Sequence, residues 1–437
     1  MKLKYLPTTF TLLALTLAPR PASAMEYVKV CDQDHCKQFS RLVMGTDHLI
    51  QDNWQRNGEK AINEAELHEI LDEAVRLGIN FFDTSPIYVG GVEYRLGKWL
   101  KARQNTEPNN PDKQLYTLSK GGFPYDLYYT KKLLPGTYSK TFTNLLEYFN
   151  LTRREHRPHS ETPLLNVPAG SYASRLYGSP RQIKRRLAEE LGHTEKNLGQ
   201  AADVYLMHRD DHDFIGFQTV PRSQTPVQTI MSVLSASEFE NNFHMIGWSN
   251  WQTPRVTESL ALAKKHNTLK TPVINSPYFS LFEMSRRTIH AGGVQVTHKN
   301  MMNPDFQKGI HIMPYSPLGG FSILDKREPA WENARAAARA AYEAQDPYWK
   351  NVYLAIFTPE NEARYHRAVD FTRRFNAKHS TQYTLDQMLN AYVLAHPQVK
   401  LLAIGPRNVD QLRRTVESLK LAKMLTPEDL NYLYGNQ

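Results

Sequence analysis

Cysteine is nearly missing from this chain: Cys31 and Cys36 are the only two in 437 residues. Two sulfurs cannot staple a small disulfide scaffold, and with only His35 alongside they do not complete a tetrahedral zinc set. Also missing is any apolar run approaching the ~20 residues that span a bilayer. A mean hydropathy of -0.54 excludes a polytopic membrane protein. Basic residues outnumber acidic ones by 53 to 44, but the surplus of +9 forms no single block, so no nucleic-acid partner is indicated. No G-x-G-x-x-G follows any strand-like run, which weakens an open, doubly wound sheet as the architecture. What is present is apolar material, 41% of residues, and it rules out wholesale disorder.

Residues 1–24, MKLKYLPTTFTLLALTLAPRPASA, have a basic start (Lys2, Lys4), a short apolar stretch from Phe10 to Ala18, a Pro19/Pro21 break and a final Ala-Ser-Ala. That pattern reads as a Sec-type secretory signal peptide cleaved after Ala24, and the mature chain is then expected to be periplasmic or secreted. No arginine pair and no cleavage-site cysteine suggest twin-arginine export or a lipid anchor. Removing the leader's three cations lowers the net charge to +6. In an oxidising compartment Cys31 and Cys36 can pair across a hairpin turn, between strand-like Tyr27-Val28-Lys29-Val30 and the run starting at Phe39.

From residue 39 onward, apolar runs alternate with amphipathic helical stretches. The runs are Phe39 to Gly45, Ile79 to Asp83, Leu115 to Lys120, Val204 to His208, Phe243 to Trp248, Pro272 to Tyr278, Ile310 to Tyr315 and Lys400 to Gly405. Helical patterns cover 64–77, 92–103, 179–199, 225–240, 253–266, 360–379, 384–395 and 408–422. Eight strand-helix units of this kind close most naturally into one α/β (β/α)8 TIM barrel over residues 25–437, preceded by the hairpin. Two stretches break the rhythm, 123–177 and 322–353, the second with an alanine-rich helical piece. Both follow strand carboxyl ends, where they read as walls or lids over a pocket, or as decoration or oligomer contacts.

The chemistry concentrates at strand ends. Asp83 closes the second run, Tyr88 follows five residues later, Lys120 closes the third run and His208 the fourth. Neighbouring strand ends bring these groups to one pocket mouth. An ammonium beside a buried phenol is expected to lower its pKa toward neutrality, with the carboxylate holding the ammonium in place. Tyr88 is then a proton donor, and His208 orients or polarises a carbonyl.

These residues resemble the aldo-keto reductases, NAD(P)H-dependent barrel oxidoreductases. The resemblance runs from about Phe39 to about Leu430, through Arg41-Leu42-Val43-Met44-Gly45-Thr46, Gly78 to Tyr88, Glu93 with Leu96-Gly97, Ser119-Lys120-Gly121-Gly122, Leu206-Met207-His208-Arg209 and Gly247-Trp248-Ser249-Asn250. It implies a tetrad of Asp83, Tyr88, Lys120 and His208 that reduces a small-molecule aldehyde or ketone. It implies that Ser249 and Asn250 hold the nicotinamide amide, that Tyr315 stacks on the ring, and that Ser316 and Leu318 meet the pyrophosphate. Gly405, Arg407 and Gln411 match the adenosine end, and the Arg407 guanidinium favours NADP over NAD by forking onto a 2'-phosphate. The resemblance also implies Asn275 as a cofactor residue: it stands where the family commonly has a glutamine that contacts the carboxamide, one methylene longer, while Arg414 and Thr415 replace the acid and amide that often hold adenine.

Other candidates rank lower. His208 and His212 lie four apart on a loop, where they do not share a helical face, so no metal site is expected. Tyrosines 125, 128, 129, 138, 172 and 177 either line a cavity or pack the first insertion. Arg153, Arg154, His156 and Arg157 read as a solvated loop face. Two rival functions remain: an exported cofactor-binding sensor with little turnover, and a hydrolase using His208 and Asp210.

Overall fold

The computed structural model describes residues 25–49, 62–86, 88, 91–106, 114–122, 179–210, 225–285, 295–319, 330–343 and 353–436. The leader, the first insertion with its tyrosines and basic cluster, His212 and much of the second insertion lie outside the described residues.

Strands β1 (Tyr27–Cys31) and β2 (Cys36–Ser40) pair antiparallel with Cys31 opposite Cys36, and a disulfide joins them. The run from Phe39 to Gly45 is not one strand. It breaks at Arg41, whose N–H donates to the Glu26 carbonyl at 2.7 Å and whose guanidinium reaches the Leu394 carbonyl at 2.7 Å. Past this break the chain leaves the hairpin and enters the barrel.

Eight parallel strands follow: β3 (Leu42–Gly45), β4 (Phe81–Asp83), β5 (Tyr116–Gly121), β6 (Ala202–Met207), β7 (Phe243–Ser249), β8 (Pro272–Ser276), β9 (His311–Ile312) and β10 (Leu402–Ile404), in the order β10-β3-β4-β5-β6-β7-β8-β9. Each overlaps one of the eight apolar runs, β3 taking the second part of its run and β9 only His311–Ile312. Ile312 bridges Val399, and the Ile312 carbonyl accepts from the N–H groups of Lys400 and Leu401 at 3.1 and 3.3 Å. These contacts tie the two ends of the strand order, so the sheet curls into a (β/α)8 barrel.

Helices pack around it: α1 (Glu64–Arg76), α2 (Val92–Thr106), α3 (Pro180–Leu198), α4 (Val227–Leu234), α5 (Thr253–Lys265), α6 (His298–Met302), α7 (Ala330–Glu343), α8 (Pro359–His379), α9 (Leu385–Ala395), α10 (Val409–Ala422) and α11 (Pro427–Tyr434). Their starts are written locally. Asn63 and Glu66 form a capping box on α1, and Thr426 with Asp429 does the same for α11. The pattern expected over 225–240 is interrupted, because α4 stops at Leu234 and a 3-10 turn over Ser237–Phe239 follows. Where α2 crosses α3, Gly97 meets the Asn197 carbonyl so closely that no Cβ fits.

Alternation along the strands divides the core in two. Val43, Phe81, Leu118, Val204, Leu206, Met245 and Leu401 fill the barrel, and Val30 and Phe39 of the hairpin join them. Phe39 stacks on Phe81 at 3.9 Å. Burying that ring stabilises the fold by roughly 2–3 kcal/mol and seals the barrel's amino-terminal end. Lys37 anchors the hairpin further by pairing with Asp203, whose second oxygen accepts from the Thr117 N–H at 2.7 Å. On the outer face, Trp248 donates to Ser259 on α5 at 2.9 Å.

Candidate active site

The four strand-end residues meet. Lys120, the fifth residue of β5, and Asp83, the last of β4, are 3% and 5% exposed, and the ammonium donates to Asp83 Oδ1. It also donates to the Tyr88 hydroxyl at 2.8 Å. His208 follows β6, its N–H held by the Gly121 carbonyl at 2.6 Å. Its ring stands edge-on to Tyr88, 81° between planes and 6.1 Å between centroids. Ser85 Oγ lies 3.5 Å from His208 Nδ1 and donates to the Lys120 carbonyl at 3.1 Å, joining three of the loops.

Electrostatics correct one expectation. The Tyr88 hydroxyl is pushed well above the ordinary phenol value, not lowered, because burial dominates and Asp83 and Asp47 add to it; Arg209 opposes. The phenol is therefore protonated at neutral pH. Burial, with Arg209 and Lys120 adding, holds His208 well below the usual imidazole value, so its ring is neutral. Burial also raises the Asp83 carboxyl, against Lys120. Asp47, just past β3, and Arg209 thus belong to this site, although no strand-end pattern singled them out.

A second group gathers at the ends of β7 to β9. Asn250 adopts a left-handed φ of 58° and its Nδ2 donates to the His208 carbonyl at 3.2 Å and to Ser249 Oγ at 3.0 Å. The Tyr315 hydroxyl donates to Asn250 Oδ1 at 2.6 Å, and burial pushes that phenol up to about 12. Ser316, with φ 56°, opens a turn closed by the Gly319 N–H on its carbonyl at 3.0 Å, and Leu318 packs on the outer core. The amide of Asn250 thereby links Tyr315 to the His208 backbone.

The residues expected at an adenosine end, Gly405, Arg407 and Gln411, form a third group. The Gln411 side chain accepts from the Arg407 N–H at 2.8 Å, and the Gln411 N–H is capped by Asn408 at 2.9 Å. Arg407 Nη1 donates to the His48 carbonyl at 2.8 Å. A Cβ on Gly405 would lie 2.7 Å from His48 Cδ2, so the bare glycine lets the loops after β3 and β10 interlock. Arg414 points elsewhere, to Asp386 at 3.3 Å, and the Thr415 hydroxyl turns back to the Gln411 carbonyl at 2.8 Å.

Asn275 does not join the second group. Its register neighbours are Trp248 and Ile312, both on the outer face, and its Nδ2 donates to Gln307 at 2.7 Å. Ser276, paired with Ser249, takes the inward position, and its buried hydroxyl has no hydrogen-bond partner among the described residues. The reason is a register shift in β8 between the partners of Ile246 and Gly247, which changes the parity of the residues that follow.

A family model described as the aldo/keto reductase family matches residues 41–435. The chain belongs to that family. No curated protein matches the chain. Members of the family are oxidoreductases that generally use NAD(P)H to reduce carbonyl groups of small molecules. Among the described residues no helix is long and apolar enough to cross a membrane.

The residues present fit a nicotinamide cofactor. An unpartnered buried hydroxyl such as Ser276 Oγ costs about 1–3 kcal/mol, and a carboxamide carries the donor and acceptor to satisfy it. At the other end, the Arg407 guanidinium and the amino-terminal end of the 14-residue α10 supply charge and dipole for a phosphate. The one group of described metal-type ligands, Glu332, Glu362 and His366, lies on α7 and α8, where Arg335 already occupies both Glu362 oxygens at 3.1 and 3.2 Å.

Proposed function

We propose that this aldo/keto reductase is an NADP-dependent carbonyl reductase in which Tyr88 gives the proton. The observation that carries the reading is the Lys120 ammonium lodged between Asp83 and the Tyr88 hydroxyl. An ammonium has no lone pair, so the phenol oxygen accepts, and the phenol's own proton is left for a substrate oxygen. As that proton leaves, the developing phenolate stays hydrogen-bonded to a fixed cation, which Asp83 keeps in place. The neutral His208 ring beside Tyr88 offers a hydrogen bond to the same oxygen without competing as an acid. Ser249, Asn250 and Ser276 orient the carboxamide, Tyr315 supplies an aromatic face, Ser316 and Leu318 line the pyrophosphate turn, and Gly405, Arg407 and Gln411 receive the adenosine phosphate. When bound, the reduced nicotinamide supplies the hydride.

The Ala22-Ser23-Ala24 leader supports export of the mature chain from Met25, and amino-terminal sequencing checks it. The activity is tested by steady-state NADPH oxidation with a panel of small aldehydes, wild type against Tyr88→Phe. Wild-type turnover no faster than the variant's would replace the enzyme reading with a cofactor-binding module. Arg407→Ala should weaken NADPH binding about 10-fold or more and leave NADH binding little changed, as loss of a guanidinium–phosphate fork requires.

A further inference from the structure

Behind Lys120 lies another carboxyl group. Glu93, in the first turn of α2, is 1% exposed, and side chains from two other elements take its oxygens. Ser119 Oγ on β5 donates to Oε1 at 2.6 Å, and Asn197 Nδ2 on α3 donates to Oε2 at 2.9 Å. Ser119 Oγ also lies 3.4 Å from Thr194 Oγ1. Ser119 immediately precedes Lys120, and alternation sends Ser119 to the helix layer and Lys120 to the barrel mouth. Two carboxyl groups therefore act on the end of one strand, Asp83 from inside and Glu93 from outside. Among the described residues Glu93 has no ion-pair partner, and Lys120 is the cation whose charge reaches it. Burial pushes its carboxyl up to about 7, against Asn197, Ser119, Lys120 and Thr194.

We propose that Glu93 is a positioning residue for the proton donor: it fixes the end of β5 through Ser119 and, by its own protonation, sets how strongly Lys120 stabilises the phenolate left when Tyr88 gives up its proton. The inference rests on Tyr88 being that donor. An ionised Glu93 adds a negative charge behind the ammonium and offsets part of its field at the phenol. A protonated Glu93 removes that offset, so Tyr88 gives up its proton more readily. Carbonyl reduction should accelerate as pH falls through neutrality. The groups packed on Glu93 from β5 and α3, Ser119, Thr194 and Asn197, are neutral, which leaves Lys120 as the recipient of the change. The groups acting on Tyr88 itself are Asp83, Asp47, Arg209, Tyr315, Lys120 and His208, and His208 titrates well below the neutral window.

The test is the single-turnover rate of NADPH oxidation by an aldehyde from pH 5.5 to 8.5, on the full chain. The wild-type rate should fall about 3- to 10-fold across neutrality, the scale for unit charges acting through an effective dielectric near 20. Glu93→Gln, permanently neutral, should lose the inflection and stay at the acid-side rate. Ser119→Ala removes a hydrogen bond to the ionised carboxyl and should move the inflection to higher pH, a change that a purely structural role does not produce. An unaltered inflection in Glu93→Gln overturns the proposal; if that variant does not fold, an unmoved inflection in Ser119→Ala does so. A Tyr88→Phe rate equal to wild type would instead overturn the proton-donor reading, and this one with it.

Discussion

The Lys120 ammonium donates to the Tyr88 hydroxyl at 2.8 Å while also held by Asp83, so the phenol oxygen is an acceptor and its hydrogen points away from the lysine. That one relationship fixes the direction in which a proton can leave.

Tyr88→Phe keeps the ring against His208 and removes only the hydroxyl, with its proton and the oxygen that accepts from Lys120. Carbonyl reduction should drop by roughly 10²- to 10⁴-fold, the range for losing a positioned general acid. NADPH binding, followed by fluorescence, should be unchanged. Loss of binding would mean the hydroxyl serves the cofactor instead.

Lys120→Met leaves the Asp83 carboxylate buried without its cation. Removing one partner of such a pair should destabilise the fold by about 3–5 kcal/mol in urea unfolding. Lys120→Met combined with Asp83→Asn should recover much of that. A double variant no more stable than the single one would show that the pair does not act as a unit.

Ser276 and Asn275 should separate cleanly. Ser276→Ala removes an unsatisfied hydroxyl, so the cofactor-free protein keeps or gains stability, while NADPH binds about 3- to 10-fold more weakly. Asn275→Ala breaks the bond to Gln307 and should lower stability by about 1–3 kcal/mol with cofactor affinity retained. The reverse pattern would return the carboxamide to Asn275.

Far from the site, His396 donates to the Tyr392 carbonyl at 2.7 Å and faces His298 Nδ1 at 2.9 Å, and burial holds it at about 3. The unfolded chain binds that proton below about 6.5 and the folded chain does not. Stability is therefore full above 6.5 and falls as pH drops toward 3, by about 2 kcal/mol between pH 6.5 and 5. Melting temperature against pH should show this slope, and His396→Asn should flatten it.

Reducing the Cys31–Cys36 disulfide should lower stability by about 2 kcal/mol, as for other short loops. Activity should persist, because the hairpin sits at the end of the barrel opposite Tyr88. Calorimetry and turnover with and without reductant check both halves.

Much of this was legible in the chain itself. The eight strands announced themselves as apolar runs because parallel strands buried on both faces need continuous hydrophobic sequence. Asp83, Lys120 and His208 were legible for the same reason: each is a polar residue ending such a run. Position within a strand was harder to read. The choice between Asn275 and Ser276 depends on a register shift that no residue type marks, and parity after it cannot be counted from the strand's start. The break at Arg41 depends on partners as distant as Leu394. Asp47 and Arg209 look like ordinary loop charges until folding brings them to Tyr88. The phenol's raised pKa likewise follows from burial, which the neighbouring lysine alone does not reveal.

Phe39 and Val30 give the barrel a floor. A vessel closed at its floor opens at the other end, so on the proposed reading whatever reacts at Tyr88 enters and departs at the carboxyl ends of the strands. The clasp between Arg407 and His48 lies at that same end, where the chain leaves β10 and β3.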